Sequence, residues 1–200
     1  MRIVCLDLEG VLVPEIWIAF AQSAGIPELE RTTRDEPDYA KLMAFRLEIL
    51  NRHNLKLPDI QKVIGGMEPL AGALDFCDAL RSRAQLIILS DTFEQFAAPL
   101  MKKLGYPTLF CNTLETAPDG RITGWKLRQN DGKRRVVDAL SACNIEVFAA
   151  GDSYNDLAMI KTAKAGCLFR APEAIQKANA EVPCVKSYDA LLLLIEQFLC

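Results

Sequence analysis

The sequence predicts an α/β fold: a doubly wound, mostly parallel sheet with a helical segment inserted after its first strand. Three observations carry this reading. Short apolar runs recur along the chain without alternating polar residues, as strands of a sheet covered on both faces do. Helix-like stretches separate these runs, and strand–helix alternation is the signature of a doubly wound sheet. One long stretch, residues 13–70, has helical patterning and no good strand.

Taken in order, Arg2-Ile-Val-Cys-Leu-Asp7 reads as the first buried strand. Helix-like patterns follow over 14–24, 38–53 and 58–65, and Gly65-Gly66 with Glu68-Pro69 reads as the hinge back into the core. A helix over 72–83 precedes the strand Gln85-Leu-Ile-Ile-Leu-Ser90, and another helix covers 93–104. Residues 108–128 read as a small hairpin, with turn chemistry in Pro118-Asp119-Gly120-Arg121 between Leu114 and Ile122. A helix over 133–143 leads to the strand Glu146-Val-Phe-Ala-Ala150, stopped by Gly151. Helices over 155–164, 172–179 and 188–199 alternate with short strands at Gly166–Phe169 and Cys184–Lys186. The implied organisation is a core of residues 1–12 and 71–200, with residues 13–70 as an inserted helical unit.

Composition bounds the function. The chain has 200 residues, enough for one domain with a modest insertion, and its 50% hydrophobic and 24% charged residues exclude wholesale disorder. Lys+Arg is 23 and Asp+Glu is 26, giving a net charge of −3, which gives no support for a nucleic-acid partner. No apolar run is long enough for a membrane span, and the first residues lack the apolar stretch of a signal peptide, so a cytoplasmic location is expected. The seven cysteines are scattered without a C-x-x-C pair, so most are expected to be small buried hydrophobes. Nothing in the chain speaks to oligomeric state.

In open α/β sheets, ligands bind beyond the carboxyl ends of the strands. Here those ends read Asp7-Leu8-Glu9-Gly10, Ser90-Asp91-Thr92 and Gly151-Asp152-Ser153-Tyr154-Asn155-Asp156. One strand-end aspartate is usually a turn or helix cap; three such ends on one rim point to chemistry. Asp7 and Asp152 are hard oxygen donors of the kind Mg²⁺ takes beside waters and a phosphate, and no Cys/His cluster competes for a softer metal. Ser90 and the N–H groups after it can bond phosphate oxygens. Lys133, which follows Asp131-Gly132 at a helix start, can bring a point charge to an anion; alone it would read as a solvated surface lysine.

Asp7-Leu-Glu-Gly-Val11, Ser90-Asp-Thr92, Lys133 and Gly151-Asp-Ser-Tyr-Asn-Asp156 together resemble the four ordered motifs of the haloacid dehalogenase (HAD) superfamily, and residues 13–70 resemble its helical cap. The similarity is greatest to phosphoserine phosphatases. Within those, Asp-Leu-Glu-Gly-Val-Leu-Val-Pro-Glu-Ile-Trp and Leu-Ser-Asp-Thr-Phe resemble the bifunctional phosphoserine phosphatase/homoserine phosphotransferase type. The resemblance implies Asp7 as the nucleophile that forms an aspartyl-phosphate, with Mg²⁺ held by Asp7, the main-chain oxygen of Glu9 and Asp152. It implies Ser90, Asp91, Lys133 and Asn155 around the phosphoryl group. Asp156 would act through a metal-bound water or by orienting Lys133. Glu9 would protonate the leaving oxygen and then deprotonate water. Most such phosphatases carry Asp at that position, and the extra methylene leaves open that Glu9 contributes only its carbonyl.

The helix expected at 38–53 carries substrate information. With Leu42 at 0° and about 100° per residue, Arg46 falls at about 40°, inside the apolar arc of Phe45, Ile49, Leu42, Leu50, Met43 and Leu47. A guanidinium so placed needs an anion: a structural carboxylate or a substrate one. Phosphoserine phosphatases place an arginine at the matching point to grip the substrate carboxylate. Tyr39, at about 60°, would line the same pocket. Glu15 is either a helix-terminal charge or, on the family reading, the partner of the substrate ammonium. His53, the single histidine, reads as a packed or helix-end residue. The expected function is Mg²⁺-dependent hydrolysis of O-phospho-L-serine, with homoserine as a possible second acceptor. Alternatives are another small phosphate monoester or a non-enzymatic phospho-accepting switch.

Overall fold

The structure is a computed structural model, and it describes residues 1–33, 35–36 and 38–200. Seven strands form one sheet in the order β4-β3-β2-β1-β5-β6-β7. They are β1 (Arg2–Leu6), β2 (Gln85–Phe93), β3 (Thr108–Thr116), β4 (Ile122–Lys126), β5 (Glu146–Gly151), β6 (Ala165–Phe169) and β7 (Cys184–Val185). Every pairing is parallel except β3 with β4. The helices are α1 (Ile16–Ala24), α2 (Tyr39–Arg52), α3 (Leu57–Gly66), α4 (Ala73–Arg81), α5 (Glu94–Lys103), α6 (Gly132–Ala142), α7 (Leu157–Thr162), α8 (Glu173–Ala178) and α9 (Tyr188–Leu199).

The continuous apolar runs are explained by burial on both faces. In β1, Val4 and Leu6 join one core, with Phe76 and Leu80 of α4, Phe96 of α5 and Leu191 and Ile195 of α9. The intervening Ile3 and Cys5 join the opposite core, with Val136 and Val137 of α6 and Met159 and Ile160 of α7. Side chains alternate across a strand, so a run feeding two cores must be apolar at every position.

Helices α1–α3 all fall between β1 and β2, as the pattern over 13–70 predicts. The outgoing and returning chains run side by side, Leu70 N donating to Leu12 O at 2.9 Å. This insertion is also fastened at its far side. Leu57 N donates to Gly120 O at 2.9 Å, Lys56 Nζ lies 3.4 Å from Asp119 Oδ2 across the hairpin tip, and Gln61 Nε2 donates to Gln95 O at 2.9 Å.

Several expectations need correction. Gly65 and Gly66 are not a loop hinge: they form the last turn of α3, and the irregular link is 67–70. The 108–128 hairpin exists, but β3 is also a full member of the parallel sheet, pairing Ile87 with Thr108 through Leu89 with Phe110. Strand β2 outruns its expected end at Ser90 and reaches Phe93, with the register against β3 shifting between Leu89 and Phe93. The expected helix 155–164 begins as a 3₁₀ turn over Tyr154–Asp156, because the Asp156 carboxylate folds back onto the chain before it. Only Cys5, Cys77 and Cys167 are fully buried; Cys143 and Cys200 are exposed, and all seven are free thiols. Among the described residues, no helix is long and apolar enough to cross a membrane.

Candidate active site

The carboxyl ends of β1, β2 and β5 and the first turn of α6 meet at one cavity of about 100 Å³. Asp7 stands directly beyond β1, buried, with its N–H still in the sheet, donating to Ala150 O at 3.0 Å. Its Oδ1 accepts from Leu8 N at 2.7 Å and lies 2.9 Å from Lys133 Nζ. Burial, and then the nearby Asp156, push Asp7 well above the ordinary carboxylate range, while Lys133 pulls the other way.

Lys133 is not a surface lysine. It is 5% exposed, with Nζ 2.7 Å from Asp156 Oδ1, 2.9 Å from Asp7 Oδ1 and 3.6 Å from Asp91 Oδ2. Burial works against its charge, but Asp156, Asp7 and Asp91 outweigh burial and hold it well above the usual lysine range. Asp156 is fully buried and fully engaged. Its Oδ2 accepts from Asp152 N, Ser153 N and Ser153 Oγ, each at 3.0 Å, while Oδ1 accepts from Lys133. Asp156 thus holds the Lys133 ammonium directly.

Two glycines make these approaches possible. A Cβ on Gly151 would lie 2.2 Å from Asp156 Cγ. Gly10 has φ +74°, and a Cβ there would lie 2.5 Å from Asp152 Oδ2. Asp7, Asp152 and Asp156 each offer an oxygen within 4.8 Å of the others.

Ser90 is buried and its Oγ accepts from Thr92 N at 3.2 Å. The Asp91 carboxylate is half-exposed and serves its neighbours: Oδ2 accepts from Asn155 Nδ2 at 2.6 Å. Its main-chain oxygen accepts from Asn112 Nδ2 at 3.0 Å and from Tyr39 Oη at 3.3 Å. Asn155 also contacts Ser153 Oγ through its side-chain oxygen.

The opposite wall of the cavity comes from the insertion. Glu9 accepts the first N–H of α1, Ile16 N, at 2.9 Å through Oε2. Burial, with the neighbouring Glu15 adding, pushes Glu9 up to about 7. Glu15, Tyr39 and Arg46 line the same cavity. Arg46 is 6% exposed, and its guanidinium lies over the Trp17 ring, 4.4 Å from the centroid. It donates to Arg31 O at 2.9 Å, but its Nε is buried with no partner among the described residues. No carboxylate there lies within ion-pair distance of it, so the structural salt bridge is not seen. Burial draws Arg46 down to about 10. His53 caps the end of α2, exposed and away from this cavity.

The expected site residues thus border one cavity, except Asp156, which braces Lys133 beside it. Sequence reasoning missed Thr92, whose hydroxyl stabilises the charged form of Glu9, and Trp17 under Arg46. Thr92 was accessible by strand alternation, because it shares a face with Ser90; Trp17 had no comparable signal.

The family profile of haloacid dehalogenase-like hydrolases matches residues 16–161. The chain belongs to the haloacid dehalogenase-like hydrolases. Within that family it is 54% identical over 191 residues to a Pseudomonas aeruginosa protein named phosphoserine phosphatase ThrH, spanning 96% of this chain and 93% of the relative. It is 52% identical over 191 residues to a phosphoserine phosphatase of Pseudomonas syringae pv. tomato, covering 96% of this chain and 81% of the other. The fold matches a substrate-bound phosphoserine phosphatase structure with a TM-score of 0.77, at 21% identity and 97% coverage of both chains. This family assignment and the position of Asp7 at the end of the central strand fit a hydrolase and not a receiver-type switch.

Proposed function

We propose that this hydrolase is a Mg²⁺-dependent phosphatase of O-phospho-L-serine, with residues 13–70 as its cap and residues 1–12 and 71–200 as its core. One observation carries the reading: groups suited to a phosphoryl transfer (Asp7, Ser90, Lys133, Asp152) and groups suited to an amino-acid zwitterion (Glu15, Arg46) line the same small cavity. The 54% identity to a protein named phosphoserine phosphatase ThrH supports it. The seven free thiols fit a reducing cytoplasm.

Asp7 attacks phosphorus, the bond from phosphorus to the serine oxygen breaks, and an aspartyl-phosphate forms. Glu9, pushed up to about 7, retains a proton near neutral pH and gives it to the leaving oxygen. The resulting carboxylate then takes a proton from water as that water attacks phosphorus, releasing phosphate and regenerating Asp7. Lys133 and Ser90 hold the phosphoryl oxygens throughout. Asp91 positions Asn155 and Lys133, and Asp156 anchors Lys133. The Arg46 fork takes the substrate carboxylate, and Glu15 takes the ammonium.

The donor set fits a hard divalent cation. Among the described residues, Asp7, Asp91 and Asp156 all lie within 3.6 Å of one ammonium, that of Lys133, a local negative charge that a cation would offset as a phosphate enters. Asp7, Asp152 and the main-chain oxygen of Glu9 would hold Mg²⁺, which supplies charge neutralisation on the phosphoryl oxygens. Homoserine is proposed as an alternative acceptor, competing with water for the same aspartyl-phosphate.

Phosphate release from O-phospho-L-serine with Mg²⁺ tests the assignment. Wild type should turn over, and Asp7→Asn should lose about a thousandfold or more. Arg46→Ala should weaken phosphoserine turnover by about tenfold to a hundredfold, the worth of a charge-assisted pair, and spare a generic aryl phosphate. Equal effects on both esters would reassign the enzyme to another small monoester. Phosphohomoserine formed in the presence of homoserine would establish transfer, and its absence would remove the second acceptor.

A further inference from the structure

We infer that Trp17 is a positioning residue for substrate selection, holding the Arg46 guanidinium so that its free edge, and not its face, meets a carboxylate in the cavity. This rests on the assignment of Arg46 to the substrate carboxylate.

Arg46 emerges from an apolar helix face into a largely buried setting, where a long flexible side chain has few polar partners to fix it. Among the described residues, one nitrogen donates to Arg31 O, another has only the Met43 sulfur at 3.9 Å, a weak acceptor, and Nε has none. Hydrogen bonds therefore do not lock the guanidinium plane. Trp17 supplies a fixed contact: the guanidinium Cζ lies over its ring, 4.4 Å from the centroid. The ring is itself braced. It is 7% exposed and meets Phe96 edge-on at 5.5 Å, and Phe96 meets Phe93 edge-on at 5.6 Å. Phe93 ends β2, the strand that also carries Ser90 and Thr92.

The orientation of the carboxylate grip is thus tied through three aromatic rings to the strand that bears the phosphate-binding serine. A planar fork pairs with a carboxylate through its edge, so a braced ring packed against the guanidinium restricts the orientations that fork can take. Ligands that lack a carboxylate gain nothing from this arrangement. Trp17 should consequently set the preference for a carboxylate-bearing phosphate ester without entering the chemistry.

The test compares O-phospho-L-serine with phosphoethanolamine, which lacks the carboxylate. Trp17→Leu should raise KM for phosphoserine about tenfold with kcat within about twofold, the order expected for a desolvated cation–π contact. The loss should be much smaller for phosphoethanolamine and should vanish when Arg46 is already alanine. Loss of equal size on both esters, or loss that persists in Arg46→Ala, overturns the inference. A wild type with no preference for phosphoserine removes the Arg46 assignment, and the inference with it; preference retained by Trp17→Leu removes the inference alone. A binding measurement serves if Trp17→Leu does not fold. Trp125→Phe leaves Trp17 as the sole tryptophan. In the Asp7→Asn background, phosphoserine and not phosphoethanolamine should shift its emission. No shift, or the same shift with both, overturns the proposal.

Discussion

At the scale of single residues, the site is a set of charges whose neighbours determine their state. Glu9 shows it best. Its carboxyl is pushed up from 4.5 to about 7, chiefly by burial and then by Glu15. The folded chain therefore keeps a proton that the unfolded chain releases, and ionising Glu9 costs folding free energy. Its contribution is fully present below about 4.5 and is lost as pH rises to about 7. The melting temperature of the metal-free wild type should fall over that window relative to Glu9→Gln. Parallel curves for the two proteins would mean that Glu9 ionises as freely as in the unfolded chain. Asp7, Asp91 and Asp152 were legible because they sit at strand ends, where polar groups have no packing reason to cluster, and Arg46 because it interrupts the apolar face of a helix. Thr92 and Trp17 were less so: their roles depend on contacts between segments far apart in the chain.

At the scale of elements, the sequence separated strands from helices because parallel strands need apolar residues on both faces. It misread β3, whose outer positions are half-exposed and whose pattern is equally that of a free hairpin arm. It also misread Gly65 and Gly66 as a hinge. Glycine commonly marks a break in a helix, but here both sit inside α3, with nothing within 4 Å of where a Cβ would go. Gly65→Ala and Gly66→Ala should therefore each stabilise the protein by about 0.5 kcal/mol and leave turnover intact. Denaturant unfolding and steady-state kinetics check this; slowed turnover without lost stability would restore the hinge. The fastening of Leu57 to Gly120 and of Lys56 to Asp119 points the same way, since it ties the α3 side of the insertion to the β3–β4 turn.

At the scale of the whole molecule, folding brings the carboxylates of Asp7, Asp91 and Asp156 together around Lys133, where they repel one another. Much of that repulsion exists only in the folded state, so a cation that binds the cluster should stabilise the whole chain by mass action. Adding Mg²⁺ to the metal-free protein should raise its melting temperature in a concentration-dependent way, and Asp152→Asn should abolish most of that rise. An equal rise in both would place the stabilising cation elsewhere. The doubly wound architecture was legible because alternating periodicity is a property of the entire chain. This gathering of charge was not, because a net charge of −3 spread over 200 residues says nothing about where the charges meet.

The register shift in β2 between Leu89 and Phe93 has a further effect. That strand carries Ser90, Asp91 and Thr92 while its neighbour advances by fewer residues, so the spare length is taken up where the site groups stand. Ser90, Thr92 and Phe93 are buried, and Asp91 among them is exposed. Substituting one of them alters one group. Deleting one would exchange inward and outward positions for those that follow, moving the serine, the threonine and the aromatic brace in a single event. This stretch of strand can therefore diverge by replacement, but it has almost no tolerance for a change in length.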